Sequence, residues 1–416
     1  MTHQLVEADR LVPFTARADI RAALVGLGRA EDLCFSPDGS KLAVAGLGEE
    51  RLLILDVETA LDGDVPRVAL TRFLEVECAA FSHPHGLAWI DEATLVVANR
   101  KGPVAIVAIH DVPDGSRIIV EPLRLIGADG TELVRTPGSV AVGFVGMGLI
   151  ELLVCNNFVE HVTRHLLDQR RSYEVIASEI LLDHGLGIPD GIAQSPSSRW
   201  IAVSDHSQHD VVLLRSDAQA NGAREPDGRL TDLCYPHGIK FGADERVLLV
   251  ADAGAPFVRL FTSDTGDWSG TRSPSEAIRV MSDATFALEN HTPSEGGPKG
   301  IDLTRDNMLM VMSCQQQPIA FFDMRGLIAT NNGTLPPGEE ADAAERIRAV
   351  MGRYLLAASE RARRETETLR RAGDYDREAL ADTELEIRKI FNSRSWKLTH
   401  PLRSANARIG RLRRRG

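Results

Sequence analysis

The stretch that decides the fold is "YPHGIKFGADERVLLVADAG", Tyr235 to Gly254. It puts a Pro-His-Gly turn ahead of a short strand, a polar turn and an apolar run ending in a small-polar pair. Near copies are "HPHGLAWIDEATLVVANR" from His83, "IPDGIAQSPSSRWIAVSDHS" from Ile188 and "GPKGIDLTRDNMLMVMSC" from Gly297. Two looser ones, "RAEDLCFSPDGSKLAVAG" from Arg29 and "RTPGSV" from Arg135, complete the set. Aligned on the turn residue (Asp32, Gly86, Ser139, Gly191, Gly238 and Gly300), the gaps are 54, 53, 52, 47 and 62 residues. Self-similarity at such a period marks a repeat architecture.

Each copy reads as strands, from its period-two alternation, Val/Ile/Leu enrichment and Gly/Asp turns. The second strand of each ends at Gly46, Asn99, Asn156, Asp205, Asp252 or Ser313. A third follows as "RLLILDV", "VAIVAI", "HVTRHLL", "DVVLLR", "FVRLF" or "IAFFDM". A fourth is visible in four gaps, as "VALTRFLE", "IIVEPLRLI", "YEVIASEILL" and "AIRVM". The sixth copy has none after Met324, so an N-terminal strand, read as "DIRAALVG" from Asp19, is expected to close the ring and remove its open edge. The expected class is all-β: a six-bladed β-propeller over 19–330, after an N-terminal lead of residues 1–18 and before a C-terminal helical extension. The 62-residue gap has room for a seventh blade but supplies no second anchor for one.

In such a ring the start of each inner strand and the end of each second strand lie on one face. Glycine at the turn permits positive φ and close backbone approach. The residue before it need not be polar, yet those positions hold Glu31, His85, Asp190, His237 and Lys299. Side chains from different blades would point at one axis. Glu31, His85, Asp190 and His237 form a mixed nitrogen and oxygen set suited to a divalent metal: zinc, manganese, iron or calcium. Lys299 is expected as oxyanion partner, or as a cation replacing the metal, and Asp205 as general base. Asn99, Asn156, His206 and His209 fall on the same face and are expected to bind substrate. Turn histidines and aspartates often only cap backbone groups, and that reading stands beside this one.

"PHGLAW", "PDGIAQ" and "PHGIKF", with "VAN", "VSD" and "VAD" behind them, resemble six-bladed propellers of the NHL-repeat and senescence-marker-protein/gluconolactonase kind. The resemblance implies the fold over about residues 19 to 325, and a metal held by Glu31 and Asp190. His85 and His237 resemble the Pro-His turns with which peptidyl-hydroxyglycine amidating lyases hold zinc. The asparagine ligands of the first pattern and the third histidine of the second are unmatched. Such rings host enzymes and binding platforms alike.

Hydrophobic residues at 43% and charged residues at 25% are ordinary globular composition. Five cysteines without metal or redox spacing read as free, mostly buried thiols of a reducing, cytoplasmic compartment. No phosphate-cradling glycine loop, G-x-S-x-G or H-E-x-x-H occurs, which leaves nucleotide and serine-hydrolase chemistry without support. The net charge of -12 splits into +8 from Phe391 to Gly416 and -20 elsewhere, so no nucleic-acid partner is expected.

After a linker of residues 331–338, an Ala/Glu/Arg-rich segment, 339–392, reads as helices. Its stripe of Ile347, Val350, Met351, Tyr354, Leu355 and Ala358 fits docking on the propeller or a homo-oligomer contact. The tail, 393–416, resembles the Ser-Trp-Arg/Lys-Leu-Thr-x-Pro-Leu-Arg segment that closes many bacterial glycosyltransferases of surface-polysaccharide assembly, with Trp396, Pro401, Leu402 and Arg403 in place. The resemblance implies polysaccharide metabolism as context, and a glycosyltransferase as a partner. A Trp, spaced Leu/Ile and clustered Arg suit peripheral attachment to an anionic inner membrane. The expected function is a metal-dependent hydrolase, lactonase-like, or lyase acting on a carbohydrate-type small molecule or glycan. The alternative is a non-catalytic scaffold gripping a glycan or a glycosyltransferase.

Overall fold

A computed structural model describes residues 4–6 and 10–328, apart from 129–132, 217–224 and 289–294. The linker, helical segment and basic tail lie outside the described residues. The described strands form six sheets, one per repeat. In order from inner to outer strand, blade 1 is Ala30–Phe35, Lys41–Gly46, Arg51–Asp62 and Val65–Glu77. Blade 2 is Pro84–Asp91, Thr94–Asn99, Val104–Ala108 and Pro122–Ile126. Blade 3 is Pro137–Gly146, Leu149–Asn156, His161–Asp168 and Glu174–Leu182. Blade 4 is Pro189–Gln194, Trp200–Asp205, Asp210–Arg215 and Gly228–Leu230; blade 5 is Pro236–Phe241, Val247–Asp252, Phe257–Thr262 and Glu276–Arg279. Blade 6 has Ile301–Leu303, Leu309–Met312 and Ala320–Asp323, with Leu11–Val12 as its outer strand.

Second strands are apolar on both faces because each is sandwiched between blades. Leu42 and Val44 pack with Leu309, Val311 and Phe321 of blade 6, while Ala43 and Ala45 pack with Leu87, Leu95 and Val97 of blade 2. Similar clusters fill the other four interfaces. Burying each such aliphatic side chain contributes roughly 1.5–3 kcal/mol, so the ring is held mainly by its blade-to-blade seams.

An N-terminal strand does close the ring, but it is a different one from that expected. "DIRAALVG" is helical: Ala18–Gly26 buries Ile20, Ala23 and Leu24, and Leu27 follows on the same face. These are i, i+3, i+4 and i+7, a helical period that outweighs the weak alternation. Leu11 pairs instead with Phe322 and Val12 with Phe321, and the Arg10 guanidinium donates to the carbonyls of Asp323 and Arg325, each at 2.9 Å. The lead also adds Gln4–Val6 to blade 5 and Phe14–Ala16 to blade 1. "IIVEPLRLI" divides between Ser116–Ile119, which joins blade 1, and Pro122–Ile126. The 62-residue gap holds no described seventh sheet; it sends Gly270–Arg272 to blade 4 and forms the helix Asp283–Leu288. Of the five free cysteines, Cys78, Cys155 and Cys314 are buried, and Cys234 is exposed.

Candidate metal centre

Five inner strands share a defect. Pairing with the second strand breaks between Ala30 and Leu33, Pro84 and Leu87, Pro137 and Val140, Pro189 and Ile192, and Pro236 and Ile239. The residues inside each break are the turn pair, so the ladder bulges where Glu31, His85, Asp190 and His237 stand. A bulge re-aims side chains out of the pleat. Lys299 occupies the corresponding place in blade 6, its N–H bonded to the Ser313 carbonyl. The adjoining glycines exist for close approach and not for positive φ, which none of Gly86, Gly191, Gly238 and Gly300 adopts. A Cβ on Gly238 would fall 2.5 Å from the Lys299 carbonyl oxygen, and one on Gly300 2.6 Å from the Asp32 Cα.

The bulged side chains meet around the axis, and Glu31, His85, Asp190, His237 and Lys299 are all buried. Glu31 Oε2 lies 3.5 Å from His85 Nε2, 3.6 Å from His237 Nε2 and 3.5 Å from Lys299 Nζ. Asp190 Oδ2 lies 3.1 Å from His237 Nε2 and 3.3 Å from His206 Nε2. One ligand atom from each of Glu31, His85 and His237 falls within 4.8 Å of the others, and the same holds for Asp190, His206 and His237. His237 belongs to both groups, its ring stacked on His85 at 5.4 Å and tilted against His206 at 5.2 Å. His206, expected among the substrate contacts, thus falls among the residues that could hold a metal.

Protonation favours ligation. His85 Nδ1 sits 2.7 Å from the Gly138 carbonyl and must donate to it, which leaves the lone pair on Nε2, facing the cluster. Burial, with Arg100 adding to it, pushes the His85 pKa down to about 4. Burial likewise holds His237 well below its usual range, ahead of the Lys299 charge. Burial alone would raise both carboxyls. For Glu31 it is outweighed chiefly by the Lys299 charge, and Asp190, in close contact with His237, His206 and His85, is likewise held below the usual carboxylate range. Neutral His85 and His237 beside ionised carboxylates are the protonation state a cation needs. Glu31 Oε2, Asp190 Oδ2 and His206 Nε2 are buried without a hydrogen bond, a costly arrangement that a bound ion would relieve.

The remaining expected residues have other work. Asn99 accepts from Ser82 N and donates to Pro103 O, while Asn156 accepts from Arg135 N and donates to Thr163 Oγ1. Asp252 accepts from Cys234 N and Arg259 Nε. Asp205, expected as general base, accepts from Gly187 N, Ile188 N, Ser207 N, Ser207 Oγ and Gln208 N. Four of these donors reach Oδ1 and one reaches Oδ2, so Asp205 holds the loop before its inner strand in place. His209 Nδ1 accepts from Tyr235 N at the rim. In blades 2 to 5 the strand-end residue is therefore a staple that ties the second strand to the loop before its own inner strand.

Sequence reasoning named the neighbour of that staple only at His206, as a substrate contact, and missed it in blades 2 and 3. Alternation sends the next side chain to the opposite side, and those residues are Arg100, Asn157 and His206. Arg100 donates to His85 Nε2 and, at 3.0 Å, to Asp190 Oδ1. Asn157 donates to Asp190 Oδ1 and fills the space left by Gly138 in blade 3, the one blade without a polar turn residue. Arg29 pairs with Glu31, and Glu295 sits 2.7 Å from Lys299 Nζ. Further along the inner strands the channel widens to a cavity of about 270 Å³, lined by Asp32, Cys34, Trp89, Gln194, Lys240 and Asp302 among others.

No family model matches the chain, and none of the curated proteins does. Among solved structures it is similar to a chain described as "Crystal Structure of Mitotic Checkpoint Complex". The identity is 12% over 71% of this chain and 74% of that one, with a TM-score of 0.44. A likeness of that size carries no argument about activity. No helix among the described residues is long and apolar enough to cross a membrane.

Proposed function

We propose that the chain is a metal-dependent propeller enzyme of the hydrolase, lactonase-like, or lyase type, acting on a carbohydrate-type small molecule or glycan. The observation that carries this reading is the convergence of five buried donors, Glu31, His85, Asp190, His206 and His237, from four blades onto two adjoining three-residue groups. Three imidazoles with two carboxylates suit zinc, manganese or iron better than calcium, which prefers oxygen throughout. A divalent ion held there supplies Lewis-acid chemistry toward a carbonyl or ether oxygen. Lys299, fixed between Glu31 and Glu295, is placed to steady negative charge developing on a substrate oxygen. The resemblance of the turns to gluconolactonase-like and amidating-lyase propellers points the same way.

One observation favours a second reading. Glu31, Asp190 and Glu295 are matched in number by Arg29, Arg100 and Lys299, so the cluster is self-neutralising without an ion. A non-catalytic scaffold, gripping a glycan or a glycosyltransferase and attached through its basic tail to an anionic membrane surface, would need no more than that. Elemental analysis separates the two. The enzyme reading expects about one metal per chain, lost in His85→Ala plus His237→Ala with the fold retained by circular dichroism. Metal-free wild-type protein whose melting temperature ignores added zinc, manganese and calcium would leave the scaffold.

A further inference from the structure

Arg100 occupies an unusual place for a cation. Its guanidinium reaches a lone pair that would otherwise face a metal, His85 Nε2, and also bonds Asp190 Oδ1 at 3.0 Å. A guanidinium and a divalent cation cannot both use His85 Nε2. The side chain is nonetheless not sealed in, being about 20% exposed, and its Cζ lies 5.6 Å from the ring of Phe158, which is 62% exposed. Its backbone is anchored, with Arg100 N bonded to the His83 carbonyl at 2.9 Å, so movement is confined to the side chain. In this one position the guanidinium meets the ligands on its inner side and the Phe158 ring on its outer side, so a short outward movement trades the first contacts for closer stacking on the second.

We propose that Arg100 is a displaceable surrogate cation: it holds the site together without metal, swings toward Phe158 when the ion binds, and there captures a small oxyanionic substrate. The inference rests on the metal-site reading and names the substrate class for it. The charge count supports it. Three carboxylates, Glu31, Asp190 and Glu295, face three side-chain cations, Arg29, Arg100 and Lys299, so a divalent ion adds positive charge to the pocket and favours an anionic substrate. The freed fork of N–H donors suits bidentate pairing with a carboxylate or phosphate.

The test uses the full-length chain and Mn²⁺. Calorimetric titration of wild type, Arg100→Met and Arg100→Lys is expected to show at least tenfold tighter Mn²⁺ binding in Arg100→Met, with Arg100→Lys between. Wild type loaded with Mn²⁺ is then titrated with D-gluconate, inorganic phosphate and the neutral polyol D-glucitol. One of the two anions should bind, identifying carboxylate or phosphate as the recognised group, and should weaken at least tenfold in Arg100→Met; D-glucitol should not bind. Equal Mn²⁺ affinity in all three proteins, glucitol binding as well as the anions, or neither anion binding removes the inference while leaving the metal reading in place. Absence of Mn²⁺ binding from every protein removes both. Circular dichroism melting of each variant guards against misfolding, and the conservative Lys variant still reports if the Met variant fails to fold.

Discussion

Glu31, fully buried, and Asp32, half-buried, are neighbours in the chain, and they titrate in opposite directions. Glu31 faces Lys299 and Arg29 and stays ionised. Asp32 turns into the cavity further along the channel, where burial, with Asp302 and Asp190 adding to it, outweighs its backbone hydrogen bonds and pushes its pKa up to about 8. Between its ordinary 3.8 and 8 the folded protein keeps a proton that the unfolded chain has released, so stability falls as pH rises. His85 acts the other way: its folded pKa of about 4 lies below 6.5, so stability falls as pH drops through that window. Above pH 6.5 Asp32 stands alone of the two. Urea midpoints measured at pH 6.5 and pH 8 should fall by the equivalent of about 2 kcal/mol in wild type and stay level in Asp32→Asn. Parallel falls would mean Asp32 is ionised at neutral pH. Close packing gives a second test at this scale. A Cβ at Gly191 would lie 2.0 Å from the His237 carbonyl oxygen, whereas at Gly48 nothing is within 4 Å. Gly191→Ala should cost about 1–3 kcal/mol in chemical denaturation, with Gly48→Ala within about 0.5 kcal/mol of wild type.

At the scale of the element, the closing strand matters most for its length. It is two residues, and only one of them is buried: Val12 is 6% exposed and Leu11 51%. That asymmetry predicts a sharp contrast. Val12→Asp puts an unpaired charge against Phe321 and should lower the melting temperature by several degrees, while Leu11→Asp should leave it nearly unchanged. Equal effects would show that the strand's backbone ladder, and not its inward side chain, closes blade 6. The strand escaped sequence reading because two residues carry no periodicity. The helix after it was misread because "IRAAL" satisfies alternation and helical spacing at once. The inner-strand bulges were hidden as well: two residues opposite one is a property of pairing, and pairing is not written in one strand.

The described residues form a ring whose seams, and not its individual sheets, carry most of the apolar burial, with a polar cluster at one end of its axis. Long-range parts of the chain depend on each other, since the first strands complete blades 5, 6 and 1. The basic tail is a separate matter, and its proposed attachment is tested on the intact chain. Ending the protein after Asn392 removes all eight cations of that segment. Co-sedimentation with vesicles rich in anionic lipid should be lost, and should weaken with salt in the full-length protein, while propeller melting is unchanged. Equal co-sedimentation by both forms would remove the membrane attachment.

Sequence alone determined the repeat, the number of blades and the turn positions that carry polar residues, because each is recorded locally, in a strand or a turn, six times over. Tertiary structure alone decided which polar residues work together. Asn99 and Arg100, Asn156 and Asn157, and Asp205 and His206 are adjacent and equally polar, yet the first of each pair staples a loop and the second faces the axis. Side chains one residue apart on a strand point to opposite sides, and only the closed ring says which side is the centre.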